Sequence, residues 1–433
     1  MRAAVLDFMP DLLALHAADR VQYPFLLMSD AASGWDILFA LPRSLRLYRS
    51  GEADLCLHDL QQLQLGGADS DVPPGLPFHG GWFVFLGYEM LAAFEPTVPT
   101  ATDDDFPLAA LARVPAALLI DRAANRAWAV AEDDGDFAAL VAAARTARSF
   151  APAAVTLAAL DEDAPARYTD AVVRLKDYIR AGDVFQVNIS RGWRATLGEG
   201  VSAVDLFAAL RRANPAPFSA LADFGTGQIV SSSPERLVEV RGGLAQTRPI
   251  AGTHPRSSDP EEDAALAARL IASAKERAEH VMLIDLERND LGRICRPGTV
   301  EVNELMALAS YAYVHHIESN VRGRLRDGVR PAEVLRALFP GGTITGCPKV
   351  RTMQIIGELE EGARRAYTGS LGYINRDGSM DFNILIRTFM QQGSALRFRA
   401  GGGIVADSDP ERELMETRHK ARGLLRALGV EQA

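Results

Sequence analysis

The 433-residue sequence lacks the features that mark membrane, secreted and nucleic-acid-binding proteins. It has no apolar run approaching the roughly 20 residues that cross a bilayer, and its acidic N-terminus does not suit a secretory signal. The three cysteines, Cys56, Cys295 and Cys347, are too few and too far apart for a disulfide framework or a zinc site. With a formal charge of −10 and no Lys/Arg blocks, the chain also lacks the basic stripe that nucleic-acid phosphates require. We therefore expect a cytoplasmic protein with reduced thiols and without a membrane or nucleic-acid partner, and a small anionic substrate remains compatible with a locally positive site.

The chain is predicted to be a mixed α/β (α+β) protein with an N-terminal lobe at 1–150 and a larger region at 166–430. The first part mixes short apolar runs with Pro/Gly turns and closes with an Ala-rich helix at 136–149. The stretch 151–165, with two prolines and an acidic cluster, shows neither helical nor strand periodicity and is the predicted linker. Beyond it, helical and strand-like patterns alternate. The predicted helices are 168–181, 204–213, 259–280 and 331–338, and the predicted strands are 184–190, 229–232, 370–374, 382–387 and 396–400.

Five short segments combine Gly or Pro with ionisable residues in turn-like settings, where function tends to be concentrated. They are 232–236 (SSPER), 248–253 (RPIAGT), 285–293 (DLERNDLGR), 340–349 (PGGTITGCPK) and 400–408 (AGGGIVADS). This set, in this order, resembles the chorismate-utilising family, which includes anthranilate synthase component I, aminodeoxychorismate synthase component I, isochorismate synthase and salicylate synthase. The likeness spans 168–428, with a weaker match at 78–82 and 87–89. It implies a two-lobed chorismate-binding fold in which large, antiparallel-rich β-sheets pack as a sandwich flanked by helices.

The C-terminal helix carries a candidate metal site. Pro410 suits its first turn, and Glu413 and Glu416 share a face at a spacing of three residues, close enough to hold one hard cation such as Mg²⁺. Solvated surface glutamates are the alternative. The resemblance favours Mg²⁺, because the family's ligands precede a Thr-Arg-x-Lys-Ala motif that 413–421 (ELMETRHKA) matches. It also implies Glu279 as a third ligand, for which the alternative is a helix-surface pair with Lys275.

The resemblance also implies a substrate-binding set. The run Gly401-Gly402-Gly403 follows a predicted strand and precedes a helix, so its backbone amides are open to an anion, and it resembles the family's carboxylate cradle. Arg387 is then the bidentate partner of a carboxylate and Tyr367 a phenolic donor. Without a ligand, Arg387 would need another buried anion. The remaining residues implied beside the substrate are Thr253, Thr343 and Lys420.

Glu235, in Ser-Pro-Glu-Arg, resembles the family's general acid/base, whose carboxyl carries a proton when its pocket tunes the pKa toward neutrality. The alternative is a loop salt bridge with Arg236 or Arg248. Gln186 occupies the position where isochorismate and salicylate synthases have a lysine that activates water, and an amide has no proton-accepting amine. Ammonia is therefore the expected nucleophile. The resemblance adds two more catalytic candidates, Lys349 and His316, although a buried histidine is often structural.

Two sets of residues disagree about the product. Aminodeoxychorismate synthases often carry a nucleophilic lysine where this chain has Ala251, which cannot act as a nucleophile and is typical of anthranilate synthases. The glycine triplet, 380–384 (MDFNI), 35–38 (WDIL) and the short N-terminal lobe instead resemble aminodeoxychorismate synthases. We favour the latter activity and keep anthranilate synthase as the alternative. The intact glutamates argue against a non-catalytic chorismate-binding regulator.

None of the three cysteines lies in the Gly-x-Cys-x-Gly elbow of a glutaminase. A separate glutaminase subunit is therefore the expected source of ammonia.

Overall fold

The structure is a computed structural model that describes residues 1–31, 33–66, 72–102, 105–257, 259–311 and 314–430, including their side chains except those of Thr253 and Val314. Within these residues the strands form two large antiparallel sheets. The predicted architecture of antiparallel-rich sheets packed as a sandwich is confirmed.

The first sheet contains twelve strands in the described residues. In spatial order they are β1 (Arg2–Val5), β8 (Arg126–Ala131), β7 (Ala116–Asp121), β3 (Trp35–Ala40), β2 (Phe25–Met28), β11 (Phe218–Asp223), β12 (Gln228–Ser233), β21 (Thr388–Gln392), β22 (Ala395–Ile404), β10 (Gln186–Leu197) and β18 (Gly346–Cys347), with β9 (Leu157–Glu162) also paired to β10.

The second sheet contains ten strands in the same described part of the chain. In order they are β15 (Ile250–Pro255), β17 (Val314–Arg324), β14 (Leu244–Thr247), β13 (Arg236–Arg241), β20 (Met380–Asn383), β19 (Ser370–Asn375), β5 (Gly81–Leu86), β6 (Ala109–Val114) and β4 (Ser44–Tyr48), with β16 (Glu301–Ser310) paired to β17. Both sheets combine strands from before and after 151–165, since β2 pairs with β11 and β5 with β19. The division into 1–150 and 166–430 stays a prediction.

Helices cover the outer faces of both sheets. Their bounds are α1 (Leu12–Ala18), α2 (Ala53–Gln61), α3 (Leu91–Phe94), α4 (Asp134–Thr146), α5 (Pro165–Arg180), α6 (Ala203–Ala213), α7 (Pro260–Ala272), α8 (Ala274–Gly292), α9 (Pro331–Leu338), α10 (Lys349–Leu359) and α11 (Pro410–Ala427). Helices α1, α4, α6 and α11 pack on the first sheet, and α2, α3, α8 and α9 on the second. No helix in the described residues is long and apolar enough to cross a membrane.

An aromatic layer joins the two sheets. Phe25 of β2 stacks on Phe83 of β5, with ring centroids 4.0 Å apart. Phe39 of β3 packs edge-on against the same Phe83 ring. The next residue in β2, Leu26, points the opposite way into the helix-covered face, as the alternation of a strand requires. Burial on both faces explains why these strands read as continuous apolar runs.

Three predicted elements differ from the structure. The predicted linker contains the edge strand β9, whose Leu157 and Leu160 are only half-buried, so its periodicity is too weak to recognise without its partner β10. The helix predicted at 259–280 is two helices, because Ser273 leaves the helical conformation and accepts a hydrogen bond from the backbone N–H of Glu276 as the cap of α8. The strand predicted at 382–387 ends at Asn383.

The C-terminal helix confirms the prediction that Pro410 lies in its first turn. Asp409 accepts a hydrogen bond from the backbone N–H of Arg412, and Pro410 occupies the first turn. Its apolar face, with Leu424 and Leu425, packs on the first sheet. Helix α11 is thereby held against β22, and its first turns lie over the glycine triplet.

Candidate active site

The glycine triplet lies inside a strand and not in the turn that the sequence suggested. Gly401, Gly402 and Gly403 belong to β22 and pair with Ser190, Ile189 and Asn188 of β10. None of the three has a left-handed backbone conformation. Glycine is therefore needed here for the space that a side chain would fill, and not for its backbone freedom. A Cβ on Gly401 would lie 2.9 Å from the hydroxyl of Tyr367, and one on Gly403 would lie 2.1 Å from Gln186 Nε2. The triplet makes room for side chains on which the predicted site depends.

Gln186 is buried and joined to Glu279. Its side chain is 3% exposed, and its Nε2 donates a hydrogen bond to Glu279 Oε1 at 3.0 Å. Its Oε1 is buried without a hydrogen-bond partner in the described residues. Burial raises the pKa of Glu279, and the bond from Gln186 opposes that shift. Glu279 thus bonds to Gln186, and not to Lys275 as the surface-helix alternative required.

We predict that Gly403→Ala displaces Gln186, because the added methyl group falls on its amide nitrogen. The rigid strand pairing leaves the side chain as the part that moves. Overpacking of this kind costs about 1–3 kcal/mol of stability. Ammonium-dependent turnover should fall together with the denaturation midpoint. The control is Gly292→Ala in α8, where no atom lies within 4 Å of the new Cβ. Wild-type turnover in Gly403→Ala would show that Gln186 has no role in the reaction.

Glu413 and Glu416 converge over Gly402. A Cβ on Gly402 would lie 3.3 Å from Glu413 Oε2 and 3.7 Å from Glu416 Oε1. Glu413 is 8% exposed and accepts a hydrogen bond from the Ser408 hydroxyl at 2.7 Å, whereas the Glu416 side chain is 48% exposed and contacts the Lys420 ammonium at 2.8 Å. Burial raises the pKa of Glu413, and Lys420 lowers that of Glu416.

These carboxylates fit a hard cation in chemistry and in charge. Lys275 and Lys420 each act electrostatically on both Glu279 and Glu413, so the three predicted ligands share one electrostatic environment. Gly402 leaves a side-chain-sized space beside two of them. In the described residues, however, no three His, Cys, Asp or Glu side chains are already grouped closely enough to hold a metal ion. A cation would therefore have to draw Glu279 toward Glu413 and Glu416, or complete its shell with water.

Glu235 is buried, and one of its carboxyl oxygens is unpaired within the part of the chain that the structure describes. It is 5% exposed, and its Oε1 has no hydrogen-bond partner in the described residues. Burial raises the pKa of Glu235 to about 7, while the Thr343 hydroxyl and the Arg387 guanidinium act in the opposite direction. The salt-bridge alternative is not observed, because Arg236 pairs with Asp381 and Arg248 with Glu318. A carboxyl with a pKa near neutrality suits proton transfer.

Arg387 projects from a strained position. Its φ of 53° is in the left-handed region, which a non-glycine residue adopts only when its surroundings enforce it. Burial lowers the pKa of its guanidinium, and Glu235 is the one charged group that opposes that shift. No salt bridge to Arg387 occurs among the described residues. Its charge is thus available to a substrate anion.

Sequence reasoning missed the group that holds Tyr367. Arg364 is 1% exposed and donates to both oxygens of buried Glu360, and its guanidinium lies between the rings of Tyr88 and Tyr367, 4.8 and 5.6 Å from their centroids. Arg399 also donates to Glu360, at 2.8 Å. Glu360 is only four residues before Arg364, but Tyr88 and the Asn188 carbonyl, which Arg364 also contacts, come from distant parts of the chain, and no sequence motif marks the group.

His316 lies on β17 opposite Thr253 of β15. Its Nδ1 donates to the carbonyl of Gly252 at 2.9 Å, and burial lowers its pKa to about 4, so the ring is neutral at physiological pH. The Thr253 side chain lies outside the described part of the structure. Ala251 is buried on the same strand, two residues before Thr253.

Lys349 is engaged in an ion pair. Its ammonium donates to Asp290 Oδ2 at 2.9 Å and to the carbonyl of Leu338 at 2.8 Å. The neighbouring Glu287 is also buried, and burial together with Asp290 raises its pKa to about 8. The two bonds of Lys349 join the first residue of α10 to α8 and to the end of α9. They give Lys349 a structural contact, and its catalytic role stays a prediction.

Comparison with known proteins decides the family. A family model described as chorismate binding enzyme matches residues 23–426. The chain belongs to this family. It is therefore a chorismate-binding enzyme, and the predicted resemblance is confirmed.

Its relatives in the family carry two different activities. The chain is 40% identical over 376 residues to the anthranilate synthase component I-like protein of Synechocystis sp., covering 86% of this chain and 76% of that protein. It is 37% identical over 439 aligned residues to aminodeoxychorismate synthase component 1 of Salmonella typhimurium, covering 98% and 94%. The crystal structure of anthranilate synthase component I from Streptococcus pneumoniae superposes with a TM-score of 0.80 at 31% identity, covering 91% and 93%. Relatives of similar identity are thus named for each of the two aminating activities.

Proposed function

We propose that this protein is the chorismate-aminating component of an aminodeoxychorismate synthase. It converts chorismate and ammonia to 4-amino-4-deoxychorismate in the cytoplasm, with Mg²⁺ as cofactor and a separate glutaminase subunit as the source of ammonia. The observation that carries amination is the buried Gln186, because it presents an amide, and not a basic amine, to the space beside Glu279. A water-activating base is missing from that position.

The residues divide the reaction between them. Arg387 and Tyr367 bind and orient a substrate carboxylate, since one supplies an unmatched positive charge and the other a buried hydroxyl. Glu235 donates its proton to the C4 hydroxyl, which departs as water. The resulting carboxylate then takes one proton from the added nitrogen, so Glu235 ends as it began. Glu413, Glu416 and Glu279 would hold Mg²⁺, which when bound withdraws charge from the substrate and makes the hydroxyl a better leaving group.

Ala251 cannot form the covalent lysine adduct of many aminodeoxychorismate synthases, so the other lysines of the chain have to be considered. The sequence contains four lysines. Three of them donate to oxygen acceptors: Lys176 to the Ser408 carbonyl, Lys349 to Asp290 and Lys420 to Glu416. Each of these three side chains is thus already engaged with an oxygen acceptor. The nitrogen must therefore reach the ring without a lysine adduct from them, either at C4 or at C2.

Attack at C2 is the alternative, and Ala251 is the observation that favours it. Loss of pyruvate would then give anthranilate, the product of the other aminating branch. The features that favour attack at C4 are the match to the Salmonella protein over almost its whole length and the resemblance of 380–384 (MDFNI) and of the glycine triplet to aminodeoxychorismate synthases.

We predict that the purified protein, given chorismate, Mg²⁺ and an ammonium salt, forms 4-amino-4-deoxychorismate. Chromatography should detect 4-aminobenzoate only after a separate lyase is added. Fluorescent anthranilate in the absence of the lyase would instead establish the alternative. A chorismate-induced thermal shift without any product would indicate the non-catalytic regulator. A Glu235→Gln sample is the control for uncatalysed breakdown of chorismate.

A further inference from the structure

Tyr168 has a buried hydroxyl that the proposed chemistry does not use. It lies in the first turn of α5, is 3% exposed, and its Oη has no hydrogen-bond partner among the described residues. Buried hydroxyls are rarely left unpaired, because desolvation without a new bond is costly. An unpaired one in an enzyme therefore points to a ligand.

The hydroxyl faces the carboxylates over Gly402. A Cβ on Gly402 would lie 3.6 Å from Tyr168 Oη, beside Glu413 Oε2 at 3.3 Å and Glu416 Oε1 at 3.7 Å. Three oxygens thus surround one space that only a glycine leaves open. Glu413 already uses Oε1 to accept from Ser408, and Glu416 uses Oε1 to contact Lys420. The space is lined by one hydroxyl donor and by carboxylate oxygens.

The hydroxyl is free to donate, because neither carboxylate is its hydrogen-bond partner in the described residues. A buried phenol beside two carboxylates that do not accept from it needs another oxygen as its acceptor. An oxygen that belongs to a cation-bound group meets this requirement.

The ring of Tyr168 has a second possible use. It forms part of the wall of a cavity of about 260 Å³, whose lining also includes Arg191, Arg194, Arg399 and Glu360. If separating this cavity from the carboxylates were its sole role, phenylalanine would serve equally well. The two roles can therefore be separated by removing the hydroxyl alone.

We propose that the Tyr168 hydroxyl donates a hydrogen bond to an oxygen ligand held over Gly402 beside Glu413 and Glu416. The oxygen is either a water of the hydrated Mg²⁺ or a carboxylate oxygen of the substrate. This inference rests on the proposed function, and it makes Tyr168 a further residue of that site. Outer-shell partners of this kind typically change metal affinity by about 10–100-fold.

The test is Tyr168→Phe, with Tyr178→Phe as the matched control on the same helix, where the hydroxyl donates to surface Glu358 at 2.6 Å. Calorimetry with Mg²⁺ alone measures the metal, and steady-state kinetics at saturating Mg²⁺ measure KM for chorismate. If the oxygen is a water, Tyr168→Phe weakens Mg²⁺ binding about 10-fold or more without substrate. If it belongs to the substrate, Mg²⁺ affinity stays unchanged and KM rises. Tyr178→Phe should change neither.

Two other results overturn the proposal, and they are distinguishable. Unchanged Mg²⁺ affinity and unchanged KM in Tyr168→Phe would leave the residue as packing while the proposed function stands. A wild-type protein that turns over chorismate without binding Mg²⁺, and whose KM is unaffected by Tyr168→Phe, would reject both the metal and this role. Gly402→Ala checks the space itself, because its methyl group should displace the same oxygen.

Discussion

Replacing Glu235 with Gln should lower ammonium-dependent turnover by about 10²–10⁴-fold, the usual contribution of a positioned general acid. Gln keeps the size and hydrogen-bonding atoms of the side chain but has no proton to give to the leaving hydroxyl. Because Arg387 and Tyr367 are untouched, KM for chorismate should change little. Steady-state kinetics with product detected by chromatography would measure both parameters.

The pH dependence gives a sharper form of the same test. The pKa of Glu235 is raised to about 7, so the acid form needed to protonate the leaving group is lost as the pH rises through that value. The wild-type rate should therefore have a descending limb near pH 7, and the residual rate of Glu235→Gln should lack it. An identical limb in both proteins would assign that ionisation to another group.

Stability should change in the opposite direction from activity. The unfolded carboxyl ionises near its ordinary value of 4.5, whereas the folded one holds its proton to about 7. Ionisation therefore favours the unfolded state increasingly between these two pH values, and above about 7 the penalty is constant. Gln carries no such penalty, so Glu235→Gln should unfold at a higher temperature than wild type at pH 8 and at a similar temperature at pH 4. The control is Glu361→Gln, an exposed carboxylate paired with Arg167, which should show neither effect.

Local sequence signals predicted the elements whose ends are set by local chemistry. Helix α11 is the best example, because Pro410 and the spacing of Glu413 and Glu416 act within a few residues of one another. Glu235 was also identified from its short motif, and its buried pocket supports the acid/base prediction.

Features that depend on contacts between residues far apart in the sequence could not be predicted from local sequence signals. Strand β9 is recognisable only beside β10, and the glycine triplet looks like a turn until β10 is placed alongside it. Arg364 and Glu360 lie in a segment without motif or periodicity, and their importance comes from contacts with Asn188, Ser190 and Arg399. Such groups become visible only when the sheet is assembled.

The glycine triplet connects these long-range features to the chemistry. In a strand, Gly401 and Gly403 face one side and Gly402 the other. Tyr367 and Gln186 occupy the first side, and Glu413 and Glu416 approach the second. One strand therefore adjoins both the predicted substrate-binding groups and the predicted metal ligands. Bulkier residues would close the approach from both sides, which explains the position of the run better than turn formation does.

Replacing Glu413 or Glu416 with Gln should abolish Mg²⁺-dependent turnover. Each change removes one negative charge from a site whose affinity for a hard cation depends on the number of charged ligands. Outer-shell changes already weaken metal binding by about 10–100-fold, so the loss of a direct ligand should exceed about 100-fold. Calorimetry with Mg²⁺ alone would measure affinity, and turnover at increasing Mg²⁺ would show whether excess metal restores the rate.

The two variants should differ in stability, because the two carboxylates have different surroundings. Glu416 is half-exposed, and the neighbouring Lys420 lowers its pKa. Glu416→Gln therefore removes an ion pair that contributes at most about 1 kcal/mol to the stability of the fold at such exposure. Glu413 is buried and its pKa is raised, so Glu413→Gln removes a desolvated carboxylate and should leave the unfolding temperature unchanged or higher at pH 8. The control is Glu411→Gln, two residues before Glu413 and exposed, which should bind Mg²⁺ like the wild type. Undiminished Mg²⁺ affinity in both Glu413→Gln and Glu416→Gln would remove these residues from the ligand set and leave their convergence over Gly402 to be explained by Lys420 and Lys275 alone.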